Sequence, residues 1–68
     1  MMNFLFEDTI EGGFFFVQCK TETEAWSIVW EEIASCQPLC DYDTYTMYYG
    51  LLGVYTDAQA EIMGYDTY

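Results

Sequence analysis

Residues 21–35 read TETEAWSIVWEEIAS, and this stretch decides the fold because its start, its face and its stop are all locally encoded. Thr21 and Glu24 stand in T-x-x-E order, the spacing at which a threonine oxygen and a glutamate carboxylate satisfy each other's orphan backbone N–H groups at a helix start. Behind that box Ala25, Val29 and Ile33 recur every four residues, with Trp26 and Trp30 on the same side, which predicts a helix with a wide apolar stripe. The helix should stop near Ser35, because Pro38 forbids continuation and disfavours helical geometry in the residue before it. Its other face is acidic and carries no cation.

Working outward from the helix, Asn3–Glu7 alternates weakly and Phe14–Cys19 is rich in β-formers, with Glu7–Gly13 between them supplying turn chemistry and two glycines free to take positive φ. A hairpin is the expected result. Phe14, Phe16 and Gln18 share one side of its second strand and Phe15, Val17 and Cys19 the other, so one side is expected to meet the helix and the other a partner or solvent. Downstream, Cys36–Asp43 reads as an irregular link. Tyr45–Tyr55 fits a strand through its tyrosines and threonines, bulged around Gly50–Gly53, better than it fits a glycine-containing helix. Thr56–Gln59 forms a second capping box, opening a short helix through Met63, with Gly64 in the left-handed C′ position and Tyr65 folding back on the last turn. The sequence Tyr-Asp-Thr-Tyr occurs at 42–45 and again at 65–68, too short a match to define a structural repeat. The expected architecture is a single α+β domain over residues 1–68: a single-layer ββαβα fold whose three-stranded, mainly antiparallel sheet packs on one long helix, with a short C-terminal helix at an edge.

Charge is the most informative property. Twelve Asp and Glu oppose one basic residue, Lys20, for a formal net charge of −11, and histidine and arginine are absent. Self-repulsion at this excess destabilises a compact state. A chain of 68 residues has little stability in reserve, offset here by an aromatic content of 21%. The same field disfavours direct binding to nucleic acid or to an anionic membrane. The apolar run Met47–Tyr55 is about half a membrane span, and no basic n-region precedes the first apolar residues, so a cytoplasmic protein without a membrane partner is expected.

Candidate chemistries are thin. With no histidine and serine only at Ser27 and Ser35, catalysis is not expected. Cys36-x-x-x-Cys40 with Cys19 gives three thiols where structural zinc needs four S or N ligands, so free cysteines and no metal are expected. Asp41-x-Asp43 imitates the start of a calcium loop, but Thr46 stands where the loop needs glycine and Leu52 where it needs glutamate. No cofactor motif is present. The seven tyrosines outnumber the places in so small a core, and an amphipathic ring suits a protein-binding surface.

The carboxylates point to a cationic protein partner. Glu31 and Glu32 oppose the helix macrodipole, and Asp57 and Glu61 form a like-charge i, i+4 pair without a lysine to relieve it. In size and charge alone the chain resembles the nucleic-acid mimics of phages and mobile elements, anti-CRISPR and anti-restriction proteins among them. That likeness implies a non-enzymatic inhibitor that docks on a basic DNA- or RNA-binding protein. Glu22, Glu24, Glu31, Asp41, Asp43, Asp57 and Glu61 are the expected contact residues, with Tyr42 and Tyr45 as anchors. The competing expectations are an assembly module that forms a homodimer through its surplus aromatic face and, third, a thiol- or metal-dependent regulator.

Overall fold

Strands β1 (Met2–Asp8) and β2 (Phe14–Cys19) form the expected hairpin, and its turn is built by side-chain and glycine chemistry. Asp8 Oδ1 accepts from the Ile10 and Glu11 amides at 2.8 and 3.1 Å, while Gly12 and Gly13 take φ of 84° and 103°, which a Cβ would resist. The register pairs Phe4 with Val17 and Phe6 with Phe15 on one face, and Asn3 with Gln18 and Leu5 with Phe16 on the other. The computed structural model describes all 68 residues.

Helix α1 (Glu22–Glu32) lays Ala25 and Val29 on the first of those faces, closing a core with Phe4, Phe6, Phe15, Val17 and Cys19. Only the threonine half of the expected capping box forms: Thr21 Oγ1 accepts from the Glu24 amide at 3.2 Å, and the Glu24 carboxylate makes no return bond. A 3₁₀ turn over Ala34–Cys36 ends the segment before Pro38. Strand β3 (Tyr49–Tyr55) pairs antiparallel with β1, and its register slips between Leu5 and Phe6, so Leu52 is the extra residue of a bulge within the Gly50–Gly53 window.

Three features differ from the sequence reading. Residues 45–47 form a 3₁₀ turn rather than the start of β3. Asp41 Oδ1 accepts from the Asp43 and Thr44 amides, both at 3.0 Å, and the Tyr45 amide bonds back to the Asp41 carbonyl at 2.9 Å, so a side chain winds the backbone that β-propensity would have extended. A fourth strand, β4 (Asp66–Thr67), lies parallel to β2, giving a mixed sheet of order β3-β1-β2-β4. Tyr68 continues it, donating to the Phe16 carbonyl at 2.8 Å and accepting from the Gln18 amide at 3.0 Å. Third, the second sheet face is partly covered from within the chain, with Phe14 and Gln18 left exposed. Helix α2 (Asp57–Met63), held by both arms of its capping box and ended by Gly64 at φ 74°, brings Tyr65 back over the sheet. The Tyr65 ring centroid lies 5.3 Å from Phe14 and 6.0 Å from Phe16, and Tyr55 is edge-on to Phe16 at 6.1 Å. Leu5 and Phe16 are thereby buried. The fold is a small α+β domain with helices on both sides of a mixed four-stranded sheet, and no helix is long and apolar enough to cross a membrane.

One core group is frustrated. Tyr49 is almost wholly buried and its hydroxyl has no partner. Burial first, and then the nearby Asp8 carboxylate, push its pKa up from 10.0 to about 12. An unpartnered buried hydroxyl costs about 1–3 kcal/mol by protein mutational data. Tyr49→Phe should therefore raise the melting temperature by about 5 °C, since 1 kcal/mol shifts a domain of this size by about 4–8 °C. The sign at high pH follows from the raised value: the unfolded chain ionises more readily, so the parent loses stability as pH rises from 10.0 towards about 12. Melting the variant beside the parent across that range should show it spared this loss, with the smaller contribution of Tyr45, whose pKa burial also raises, remaining in both.

Candidate partner-binding surface

Ten of the twelve carboxylates are exposed, with Glu7 and Asp8 half-buried, and Lys20 is the single side-chain cation. Their placement follows from the strand order. Glu22 and Glu24 occupy the first turn of α1, where the helix macrodipole favours them, just beyond the Cys19 end of β2. Asp57 opens α2 at the same end of the sheet but on its opposite face, and Glu61 lies one turn further along α2. Glu31 lies in the last turn of α1, whose chain then runs to Gln37, and Gln37 Nε2 donates to Glu11 Oε1 at 3.4 Å beside the hairpin turn. Asp41 and Asp8 both neighbour Cys40, whose thiol burial pushes up first and these two carboxylates further. Glu7, Asp8, Glu11, Glu31, Asp41 and Asp43 thus gather at the hairpin end, and Glu22, Glu24, Asp57 and Glu61 at the other. They do not share one face.

Several of the expected contact residues hold the fold as well. Asp41 organises the turn described above. Asp57 Oδ1 accepts from Asn3 Nδ2 at 2.7 Å and Gln18 Nε2 at 3.2 Å, and Asn3 is only 2% exposed, so this carboxylate satisfies a buried amide. Asn3, Gln18, Asp57, Glu61, Tyr65 and Thr67 line an open cleft of about 410 Å³ beneath α2. The amide bonds, Asn3 first and Gln18 second, hold the Asp57 carboxyl below its usual value of 3.8. A depressed folded-state value means the stabilisation is complete above 3.8 and disappears as pH falls through the lower folded value. An Asp57→Asn variant should accordingly show a flatter acid limb than the parent when melting temperature is followed downward from pH 3.8.

The two anchors separate. Tyr42 is exposed, with its ring edge-on to Trp30 at 5.4 Å, so it extends the aromatic surface beside Glu31. Tyr45 is 7% exposed, its ring against Trp26, Trp30 and Tyr42 and its hydroxyl donating to the Trp26 carbonyl at 3.4 Å. Tyr45 is a core residue and not a surface anchor, because the irregular link must be tied to α1 by something large. Asp8 and Glu11 join the hairpin-end group through tertiary contacts that carry no local signal, Asp8 beside Cys40 and Glu11 beside Gln37.

The cysteines are unpaired: Cys19 is buried, Cys40 half-buried and Cys36 exposed. The Cys19 thiol donates to the Thr21 carbonyl at 3.2 Å, and burial raises its pKa. No three Cys, Asp or Glu side chains converge in a way that could hold a metal ion. Comparison with protein-family models, with curated proteins and with solved structures finds no match for this chain.

Proposed function

We propose that the chain is a non-enzymatic inhibitor or regulator that sets its acidic surface in the cationic groove of a DNA- or RNA-binding protein, in the manner of phage anti-CRISPR and anti-restriction proteins. The observation that carries this reading is the density of exposed carboxylate, with Lys20 the one side-chain cation among it. The molecule extends 34 Å along its longest axis, so its ten exposed carboxylates, taken over all sides, average one per about 3.4 Å of that length. Nucleic acid presents one phosphate per about 1.7 Å for a duplex and about 3.4 Å for each strand, and the protein comes near the single-strand value. Such a surface gains on-rate by steering and competes for the lysines and arginines that hold phosphate. Glu22, Glu24, Glu31, Asp43 and Glu61 carry the contacts, with Tyr42 beside them, and Asp41 and Asp57 divide their charge between partner and fold. Action on such targets places the protein in the cytoplasm. The alternative is an assembly module that forms a homodimer through the aromatic face where Phe14 and Tyr65 remain exposed beside the covering Tyr55.

The test is displacement. A labelled duplex bound to each of a panel of nucleases and repressors is titrated with the protein at salt concentrations of about 50 and 200 mM, a range over which phosphate-type contacts weaken steeply. Displacement that fades with salt supports the reading; no displacement from any member at the lower salt refutes it.

A further inference from the structure

The acids leave one long gap. Residues 44–56 contain no Asp, Glu, Lys or Arg and are the longest uncharged run in the chain, ahead of 12–19 and 33–40. That gap coincides with β3, the outermost strand on its side of the sheet, seven residues long and bonded to β1 along one edge only. Natural edge strands are guarded by charge, by proline or by shortness. The opposite edge follows the rule, since β4 has two residues and begins with Asp66. Strand β3 has none of these guards and only the Leu52 bulge to interrupt it. Leu52 and Val54 are 51% and 49% exposed along it.

Acids lie beyond both ends of this neutral edge, inward of it: the Asp57 carboxylate accepts from Asn3 of β1 and Gln18 of β2, and that of Asp8 accepts from the hairpin-turn amides. Asp8 is the register partner of Tyr49, with Asp41 and Asp43 in the chain just before the strand, while Asp57 follows Tyr55 by two residues. We infer that the outer edge of β3 accepts an extended segment of the partner protein, uncharged and β-forming over about five to seven residues, with Lys or Arg at both ends. Main-chain bonds to the open edge would supply affinity, and the field of the carboxylates beyond each end would favour cationic flanks. A second copy of the chain is the wrong occupant. Antiparallel pairing of two β3 strands sets the Asp8–Asp43 end of one copy against the Asp57 end of the other, and parallel pairing sets like ends together. Either way acid meets acid between molecules of −11 each. The inference rests on the cationic-partner reading above and names how that partner is held.

The experiment uses the intact ¹⁵N-labelled protein and a synthetic peptide, Lys-Lys-Thr-Val-Thr-Val-Thr-Lys-Lys, with two controls: a version with proline at alternate central positions, which cannot extend a ladder, and a version with Glu for Lys. The lysine-flanked peptide should protect β3 amides from hydrogen exchange at least tenfold. The proline version should give no protection, and the Glu version should bind more than tenfold more weakly. Equal binding by the proline peptide, binding that leaves β3 amides unprotected, or protection that grows with protein concentration in the absence of peptide would each overturn the inference. Val54→Lys, an exposed substitution that places a cation on the edge, separates the two levels. Loss of peptide binding and of duplex displacement together supports the edge. Full displacement by this variant discards the edge and leaves the acidic-surface reading standing, whereas failure of the unaltered protein to displace any duplex discards that reading while the peptide result still judges the edge.

Discussion

Replacing Phe6 by alanine should leave the chain unfolded at 25 °C. Phe6 is fully buried, stacked on Phe15 with centroids 5.6 Å apart and meeting the edge of Trp26 at 4.9 Å, so it joins β1, β2 and α1 at one point. Truncating a buried phenylalanine costs about 3–5 kcal/mol in transfer and cavity terms. At about 0.05–0.15 kcal/mol per residue, a chain of 68 has a total of only about 3–10 kcal/mol. Self-repulsion at −11 places this protein towards the lower end of that range. The near-ultraviolet circular dichroism of Trp26 and Trp30 should vanish in the variant, while Phe6→Leu, which keeps most of the volume, should retain it. A cooperative melt of the alanine variant within a few degrees of the parent would show that this aromatic junction is not what joins the three elements.

The second large effect separates folding from binding. Changing Glu22, Glu24, Glu31 and Glu61 to Gln and Asp43 to Asn takes the net charge from −11 to −6 without touching the carboxylates that cap turns or hold Asn3. The variant should melt several degrees above the parent at about 0.01 M salt, where the Debye length of about 30 Å spans nearly the whole molecule. The gap should shrink at about 0.15 M, where screening cuts that reach to about 8 Å. Its displacement of duplex should nonetheless fall by about 50- to 100-fold, taking about 0.5 kcal/mol for each of five exposed ion pairs and 1.4 kcal/mol per tenfold. A variant that gains stability and keeps its potency would show that these five acids do not face the partner.

What the sequence made legible was local. The Thr21 cap, the Thr56–Gln59 box, the two glycines of the hairpin and Gly64 each act over fewer than five residues, and each element they bound is where the spacing put it. What it hid depended on distant partners. The repeated Tyr-Asp-Thr-Tyr is instructive: at 42–45 it enters a 3₁₀ turn with Tyr45 driven under Trp26 and Trp30, and at 65–68 it forms an edge strand with Tyr68 edge-on to Phe15 at 5.4 Å. The same four residues take two backbones because β2 and α1 offer them different surfaces. The abundance of exposed carboxylate was plain from composition, but its division between two ends of the sheet required the order β3-β1-β2-β4, which no spacing along the chain reveals. Asn3 and Gln18, the amides that secure Asp57, carry no local signal at all.

The solitary lysine has a practical corollary. Lys20 is exposed between Cys19, the last residue of β2, and Thr21, the cap of α1, so the chain offers trypsin a single cleavable bond. A protease must draw several residues on each side into an extended strand, and upstream of Lys20 those residues form an inner strand clasped between β1 and β4. Cutting therefore waits until that strand leaves the sheet. The appearance of two fragments on a gel becomes a direct clock for the opened population, in a protein that needs no label to report it.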